Sequence, residues 1–332
     1  MLLPIPTHEH MRRAFLILAL PVAVFAQAPP SSQPALTPEQ LINARRLDEA
    51  KPIVDAMLTK NNNDPQGLYL MGRLAYARGN SGEAVDWFEK ALKRDEQNAT
   101  YHTWLGSALG DEAQKANKLR QPFLARRVKS EFERAVELDP KLVDAREGLV
   151  DFYSMAPGFM GGNMDKAREQ ANEILKLSPV RGHQRLARIA EREKDVATAE
   201  REYKTGVAIA PDSTPGYYLL GNFYRTQGRW DEAFATYEQL MKLKPDELAV
   251  HLTWAGTAAQ SGKNLDRGER VVKYYLESAK DVPAGNLSNA HWRLGQIYEK
   301  TGRKDLARAD YAEALRLNPQ NQNAKKSLEA MK

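Results

Sequence analysis

Cysteine, histidine and paired acids carry most nucleophilic, metal and proton-transfer chemistry, and this chain uses them sparingly. Cysteine is absent from all 332 residues, so thiolate chemistry and a disulfide framework are excluded. Beyond residue 26 the histidines are His102, His183, His251 and His291. Three of them take the place that Tyr217 takes in its own segment, which points to packing rather than to a metal or a proton relay. Neither HExxH nor GxSxG occurs, and a phosphate loop of the GxxxxGKS/T form is missing. The acidic pairs Asp231-Glu232 and Asp95-Glu96 fall at turns, where capping of helices accounts for them. The expectation is a chain that is no enzyme, with no catalytic residues, no cofactor and no metal.

The elements that position these residues are helices. Tyr217, Leu220 and Tyr224 are spaced as one apolar stripe, with Gly221 inside it. A missing side chain at Gly221 lets a second helix come close. Gly228 stops the first helix, Ala233 and Tyr237 face it from the second, and Pro245 ends that helix. The pattern recurs. The alanine of the second helix, or its substitute, falls at 50, 84, 128, 167, 199, 233, 268 and 307, with most gaps at or near 34 residues. The third copy carries an insert after Gly106 that is expected to lengthen the second helix from Pro122, and Leu41 with Leu47 suggests a short first helix in the first copy.

These residues resemble the tetratricopeptide repeat over residues 38–319, nearly the whole chain beyond its amino terminus. The resemblance implies an all-α right-handed superhelical solenoid of antiparallel helix pairs, about eight repeats with an end-cap helix over 320–332. Residues 1–26 read as an export signal: Arg12 and Arg13, an apolar run from Ala14 to Ala26, and small residues at the cleavage site. Residues 27–37 are a linker rich in Pro, Ser and Gln. The chain is therefore expected in a periplasm or outside the cell. Without a cysteine it is not expected to be lipid-anchored, and no integral membrane segment is expected in the mature chain.

With 48 basic and 43 acidic residues, the net charge of +5 is a weak pointer to nucleic acid, which is not an expected partner. The resemblance implies a concave groove lined by the first helices, where a peptide or protein partner binds. Positions three before, one after and four after the repeat glycine are expected to face it: Tyr69, Arg73, Tyr76, Arg188, Tyr218, Asn222, Arg225, Trp292 and Gln296. Some members of the family clamp a peptide carboxylate with Lys and Asn in successive repeats. Here Tyr218 stands where the Lys would be and the next repeat has Gly256, so an Hsp70/Hsp90-tail receptor is disfavoured.

The loop Met155-Ala156-Pro157-Gly158-Phe159-Met160-Gly161-Gly162 is apolar where a turn is usually polar. It is either a contact loop, through Met155, Phe159 and Met160, or packing in which Phe159 and Met160 tuck under the preceding long helix; packing is favoured. Its Pro-Gly-x-x-Gly-Gly turn also loosely resembles the helical-repeat component of periplasmic TRAP transporters, the alternative being a ligand-binding or transport-accessory role. The basic run from Lys115 to Lys129 reads as a solvated helix face paired with Glu131, Glu133 and Glu137. The partner, and the oligomeric state, are not legible.

Overall fold

Thr37 starts the first helix in the way its sequence predicts. The Gln40 amide donates to the Thr37 hydroxyl at 3.2 Å, and the Thr37 amide donates to the Gln40 side chain at 2.8 Å. The computed structural model describes residues 36–279 and 282–331. The export signal at 1–26 and most of the 27–37 linker lie outside the described residues.

Helices follow in pairs. The first four pairs are α1 (Pro38–Asn43) with α2 (Leu47–Lys60), α3 (Pro65–Ala77) with α4 (Ser81–Leu92), α5 (Ala99–Lys115) with α6 (Gln121–Leu138), and α7 (Val143–Met155) with α8 (Met164–Leu177). Next come α9 (Pro179–Arg192) with α10 (Val196–Ile209) and α11 (Thr214–Thr226) with α12 (Trp230–Leu243). The last are α13 (Ala249–Ser261) with α14 (Leu265–Ser278) and α15 (Ala284–Lys300) with α16 (Lys304–Leu317), closed by α17 (Gln322–Glu329). The fold is an all-α solenoid, and no strand occurs among the described residues.

Gly221 shows why the helices of a pair meet where they do. A Cβ there would lie 2.4 Å from Cε1 of Tyr237, a ring with no exposed surface. Gly72 stands in the same relation to Phe88, and Gly295 to Tyr311. In these three pairs the aromatic of the second helix fills the space that the glycine of the first leaves, which is ridge-into-groove packing with one ridge removed. At Gly228, φ is +68, a backbone conformation that costs an L side chain energy.

Consecutive first helices also touch, as in α3 with α5, α5 with α7, α7 with α9, α13 with α15 and α15 with α17. Second helices meet mainly the first helices on either side. First helices therefore form the inner row of the curve.

Two local expectations change. The insert lengthens α6 to 18 residues as expected, but α5 also grows, to 17. Glu112, Ala113, Gln114 and Lys115 are good helix formers and carry α5 past Gly110. Leu47 begins α2 rather than ending the first helix, because Arg45 at φ 60 turns the chain before it.

Candidate functional site

The inner row carries most of the candidate residues, and burial sorts them. Tyr69 is 2% exposed and Arg73 8%, so neither faces an open groove, contrary to expectation. Tyr69 stacks on Tyr101 of the next repeat at 4.9 Å. The Arg73 guanidinium lies 3.8 Å from the Trp104 ring, donates to Asn43 Oδ1 at 2.7 Å and to the Tyr69 hydroxyl at 2.8 Å, and pairs with Glu39 at 3.2 Å. These residues seal one repeat to its neighbours. Position in a repeat does not say whether the next first helix brings a tryptophan to cover it.

Tyr76 is half-buried, edge-on to Trp104 at 5.5 Å, and lines a cleft of about 580 Å³. Its pKa is pushed up to about 12 by burial and then by the Asp111 carboxylate. The cleft is lined by residues of the lengthened α5 and α6, of α7 and the loop after it, and by Arg185 of α9. Val128 and Phe132 form its apolar side; Asp111, Asp144, Glu147 and Asp151 bring carboxylates. Arg185 enters from α9 and is neutralised by Glu147 at 2.9 Å and Asp151 at 2.8 Å. Arg181 pairs with Asp144 at 2.5 Å and Glu147 at 2.6 Å. Burial alone would raise the Glu147 pKa, but the two guanidiniums outweigh it and hold it below the usual carboxylate value. The acidic wall was missed in the sequence, since Asp111 and Asp151 read as ordinary exposed helix positions.

The Met155–Gly162 loop closes one end of this cleft, and its three apolar residues divide. Met160 packs half-buried against the core. Phe159 does not tuck under α6 as the packing reading expects: it is 82% exposed on a 3-10 turn, Gly158–Met160. Met155 lines the cleft and is 55% exposed. The turn is held by its backbone, with the Asn163 amide donating to the Tyr153 carbonyl at 2.8 Å, so Phe159 is presented on a fixed frame. The basic run pairs only partly as expected. Lys129 meets Glu133 at 3.5 Å, but Arg127 meets Glu89 at 2.7 Å on the preceding repeat.

A second pocket, of about 340 Å³, opens at the other end of the row. It brings together two of the predicted residues, Arg225 and Trp292, with Thr253, Asn289, Arg293 and Asn323. Tyr218 is half-buried near the Tyr237 ring, and its hydroxyl has no hydrogen-bond partner. Asn222 is exposed and accepts from Arg225 Nη1 at 2.8 Å and from the Tyr237 hydroxyl at 3.0 Å. Gln296 accepts from Arg293 at 3.0 Å, and Trp292 Nε1 donates to Ser327 Oγ at 3.2 Å. Arg188 stands apart from both pockets, exposed on α9. Arg293 was missed because it lies two residues before Gly295. Its signal is Gly256, where a Cβ would come within 3.0 Å of the Arg293 guanidinium.

The histidines act as latches. His102 pairs with Glu131 at 2.6 Å, His183 with Glu202 at 2.6 Å and His291 with Asp310 at 2.7 Å, each joining the first helix of a pair to the second. His251 has no such carboxylate. Nineteen residues on, where His183 and His291 find their acids, stands Arg270, and the His251 ring instead lies tilted against Tyr274, 5.3 Å between centroids, with Nδ1 unpartnered.

Comparison with known proteins agrees with this geometry. Models of the tetratricopeptide repeat match residues 65–98, 217–249 and 288–321. Tetratricopeptide repeats are thus present in this chain. Residues of the chain are 28% identical, over 36% of its length, to anaphase-promoting complex subunit 7 of Arabidopsis thaliana. They are 25% identical, over 33% of its length, to a tetratricopeptide repeat and J domain-containing co-chaperone of Cryptococcus neoformans. The matches span about a fifth of those relatives, 21% and 20%. Among solved structures, yeast Tom70 is similar with a TM-score of 0.63 at 16% identity, covering 88% of this chain and 60% of that one. A repeat protein of Parabacteroides merdae has a TM-score of 0.50 at 15% identity, covering 80% and 98%. These similarities concern the fold.

Proposed function

We propose that the chain is a non-enzymatic interaction scaffold that holds a peptide or protein partner against its inner row of helices. One observation carries this reading: a cleft of about 580 Å³ with carboxylates on its wall and the half-exposed Met155 in its lining, closed at one end by the loop that carries the exposed Phe159. An exposed aromatic on a loop that also lines an apolar cleft is the arrangement of a binding hot spot. The acidic wall suits a segment with basic residues next to an apolar anchor. Consumption of three histidines in helix-to-helix pairs supports a role without catalysis. The two curated relatives are named as a subunit of a complex and as a co-chaperone, which fits a chain that works by holding another protein.

The scaffold is proposed to act outside the cytoplasm, on the strength of residues 11–26. Fractionation of cells expressing the chain, with amino-terminal sequencing, tests this: a mature protein beginning at Gln27 is expected, and an uncleaved cytoplasmic product overturns it. The cleft is tested by a photo-crosslinking residue at position 159, with position 306 on α16 as an exposed control. A discrete adduct at 159 that is absent at 306 and is lost in Asp111→Lys/Asp151→Lys supports the cleft. Equal adducts at both positions overturn it.

A further inference from the structure

Arg225 and Arg293 differ from the other packed arginines of this chain. Among the described residues, five arginines lie over an aromatic ring: Arg73, Arg229, Arg267, Arg293 and Arg303. Four of them have a carboxylate. Arg73 pairs with Glu39, Arg229 with Glu200, Arg267 with Glu238 at 2.6 Å and Arg303 with Glu269 at 2.7 Å. Arg293, 4.1 Å from the Trp292 ring, forms no ion pair among the described residues, and its hydrogen bond is to the neutral Gln296. Arg225 likewise meets only amides, Asn222 at 2.8 Å and Gln260 at 2.9 Å, and its Nε is buried without a partner.

The two guanidiniums are near enough to repel. Burial, and then the Arg225 charge, bring the Arg293 pKa down to about 10. Two like charges half-removed from water with no counter-ion are a standing cost to the fold. The other polar groups near them are neutral hydroxyls and amides, which carry donors as well as acceptors and leave the charge unbalanced. Beyond Arg225 Nε, the Tyr218 hydroxyl, two turns earlier on the same face of α11, is unpartnered, and Thr253, Asn289 and Asn323 line the pocket. The absence of a side chain at Gly256 is what admits the Arg293 guanidinium.

We propose that this pocket, between α11, α13, α15 and α17, receives a carboxylate carried by the peptide that the scaffold holds. The proposal rests on the scaffold reading and names the chemistry of a second contact. A guanidinium pair matches a carboxylate in bidentate geometry, and the Leu252 and Trp292 walls take the aliphatic part of the side chain. A nucleic acid fits less well. It needs a row of cations for successive phosphates, whereas the inner row turns acidic at Asp111, Asp144 and Asp151. The arrangement differs from a Lys/Asn clamp in successive repeats, since the cations come from α11 and α15 and the repeat between contributes a glycine.

Fluorescence anisotropy with a labelled, carboxy-amidated hexaglutamate peptide tests the pocket, with hexaglutamine as the control. The intact chain is expected to bind hexaglutamate and not hexaglutamine, and Arg225→Gln/Arg293→Gln to weaken binding about tenfold or more. Arg293→Lys keeps charge without the fork and is expected to fall between. Circular dichroism confirms the helices of each variant. Unchanged binding in the double variant, with helices intact, overturns the proposal, as does tighter binding of a labelled oligothymidylate than of hexaglutamate. The position 159 crosslink, read in the same double variant, separates the two ideas. An adduct that persists while hexaglutamate binding was never present removes the carboxylate pocket and leaves the scaffold.

Discussion

The two ends of the inner row solve the same electrostatic problem in opposite ways. In the α5–α9 cleft, Arg181 and Arg185 enter among Asp144, Glu147 and Asp151, and every guanidinium has a carboxylate. In the α11–α17 pocket, Arg225 and Arg293 face each other with amides alone. The scaffold is the same, built from first helices held by glycine–aromatic pairs, so architecture does not explain the difference. A closed ion-pair network stabilises the chain by itself. An open one lowers stability until something of opposite charge arrives, which is the signature of a site for an anion.

The sharpest way to break this comparison is to remove one charge from each end. Glu147→Gln leaves Arg181 and Arg185 short of their shared partner and is expected to cost about 2 kcal/mol, read by urea unfolding. Arg293→Met should be neutral or stabilise by up to about 1 kcal/mol in the same assay, because it removes a charge that has no partner. A large loss from Arg293→Met would mean that the guanidinium is a structural element after all.

A smaller effect is expected at Gly256. Ala there presses on the Arg293 guanidinium from 3.0 Å, so the side chain must shift. Gly256→Ala should alter stability by less than about 1 kcal/mol while reducing hexaglutamate binding, because it moves a side chain that has room to give. At Gly221 the atom met is a buried ring with no freedom, and Gly221→Ala should cost about 2 kcal/mol.

The smallest effects separate the histidines of the two ends. Burial opposes the charging of His102, but Glu131 and the Glu96 carbonyl outweigh it and raise its pKa. The folded state therefore binds the proton more tightly than the unfolded one. Its contribution is full below the unfolded value of 6.5 and is lost as pH rises through the raised folded value. Burial lowers the pKa of His251, which no carboxylate offsets, so folding disfavours its proton and stability falls as pH drops below 6.5. His102→Gln should therefore lower the melting temperature more at about pH 5.5 than at pH 8, and His251→Gln should relieve part of the acid destabilisation. Parallel shifts in both variants would remove the distinction.

What could be read in the sequence was short in range. The Gly221–Tyr237 pair lies within one repeat, and a shape requirement of that kind leaves the same residue types at the same spacing in each copy. Thr37 with Gln40, Gly228 at its turn and the small residues at Ala84, Ala199 and Ala307 are legible for the same reason: each answers a local backbone or packing demand. The fold class follows from that recurrence, as does the reading of the histidines as packing residues.

The site residues were set at longer range. Tyr69 and Arg73 occupy the positions that the half-buried Tyr218 and the exposed Asn222 take in their own repeat, yet they are sealed because Tyr101 and Trp104 lie over them. Arg185 and Arg293 look alike as single residues. Asp151, 34 positions before Arg185, makes the first an ion pair, and Gly256 makes the second a guest of the neighbouring repeat. Residue types and period determined the solenoid because helix pairing is a local packing problem repeated along the chain. Which charges stay unpaired was decided only by the tertiary structure. Charge balance depends on side chains a repeat or more apart, and no period in the sequence constrains them.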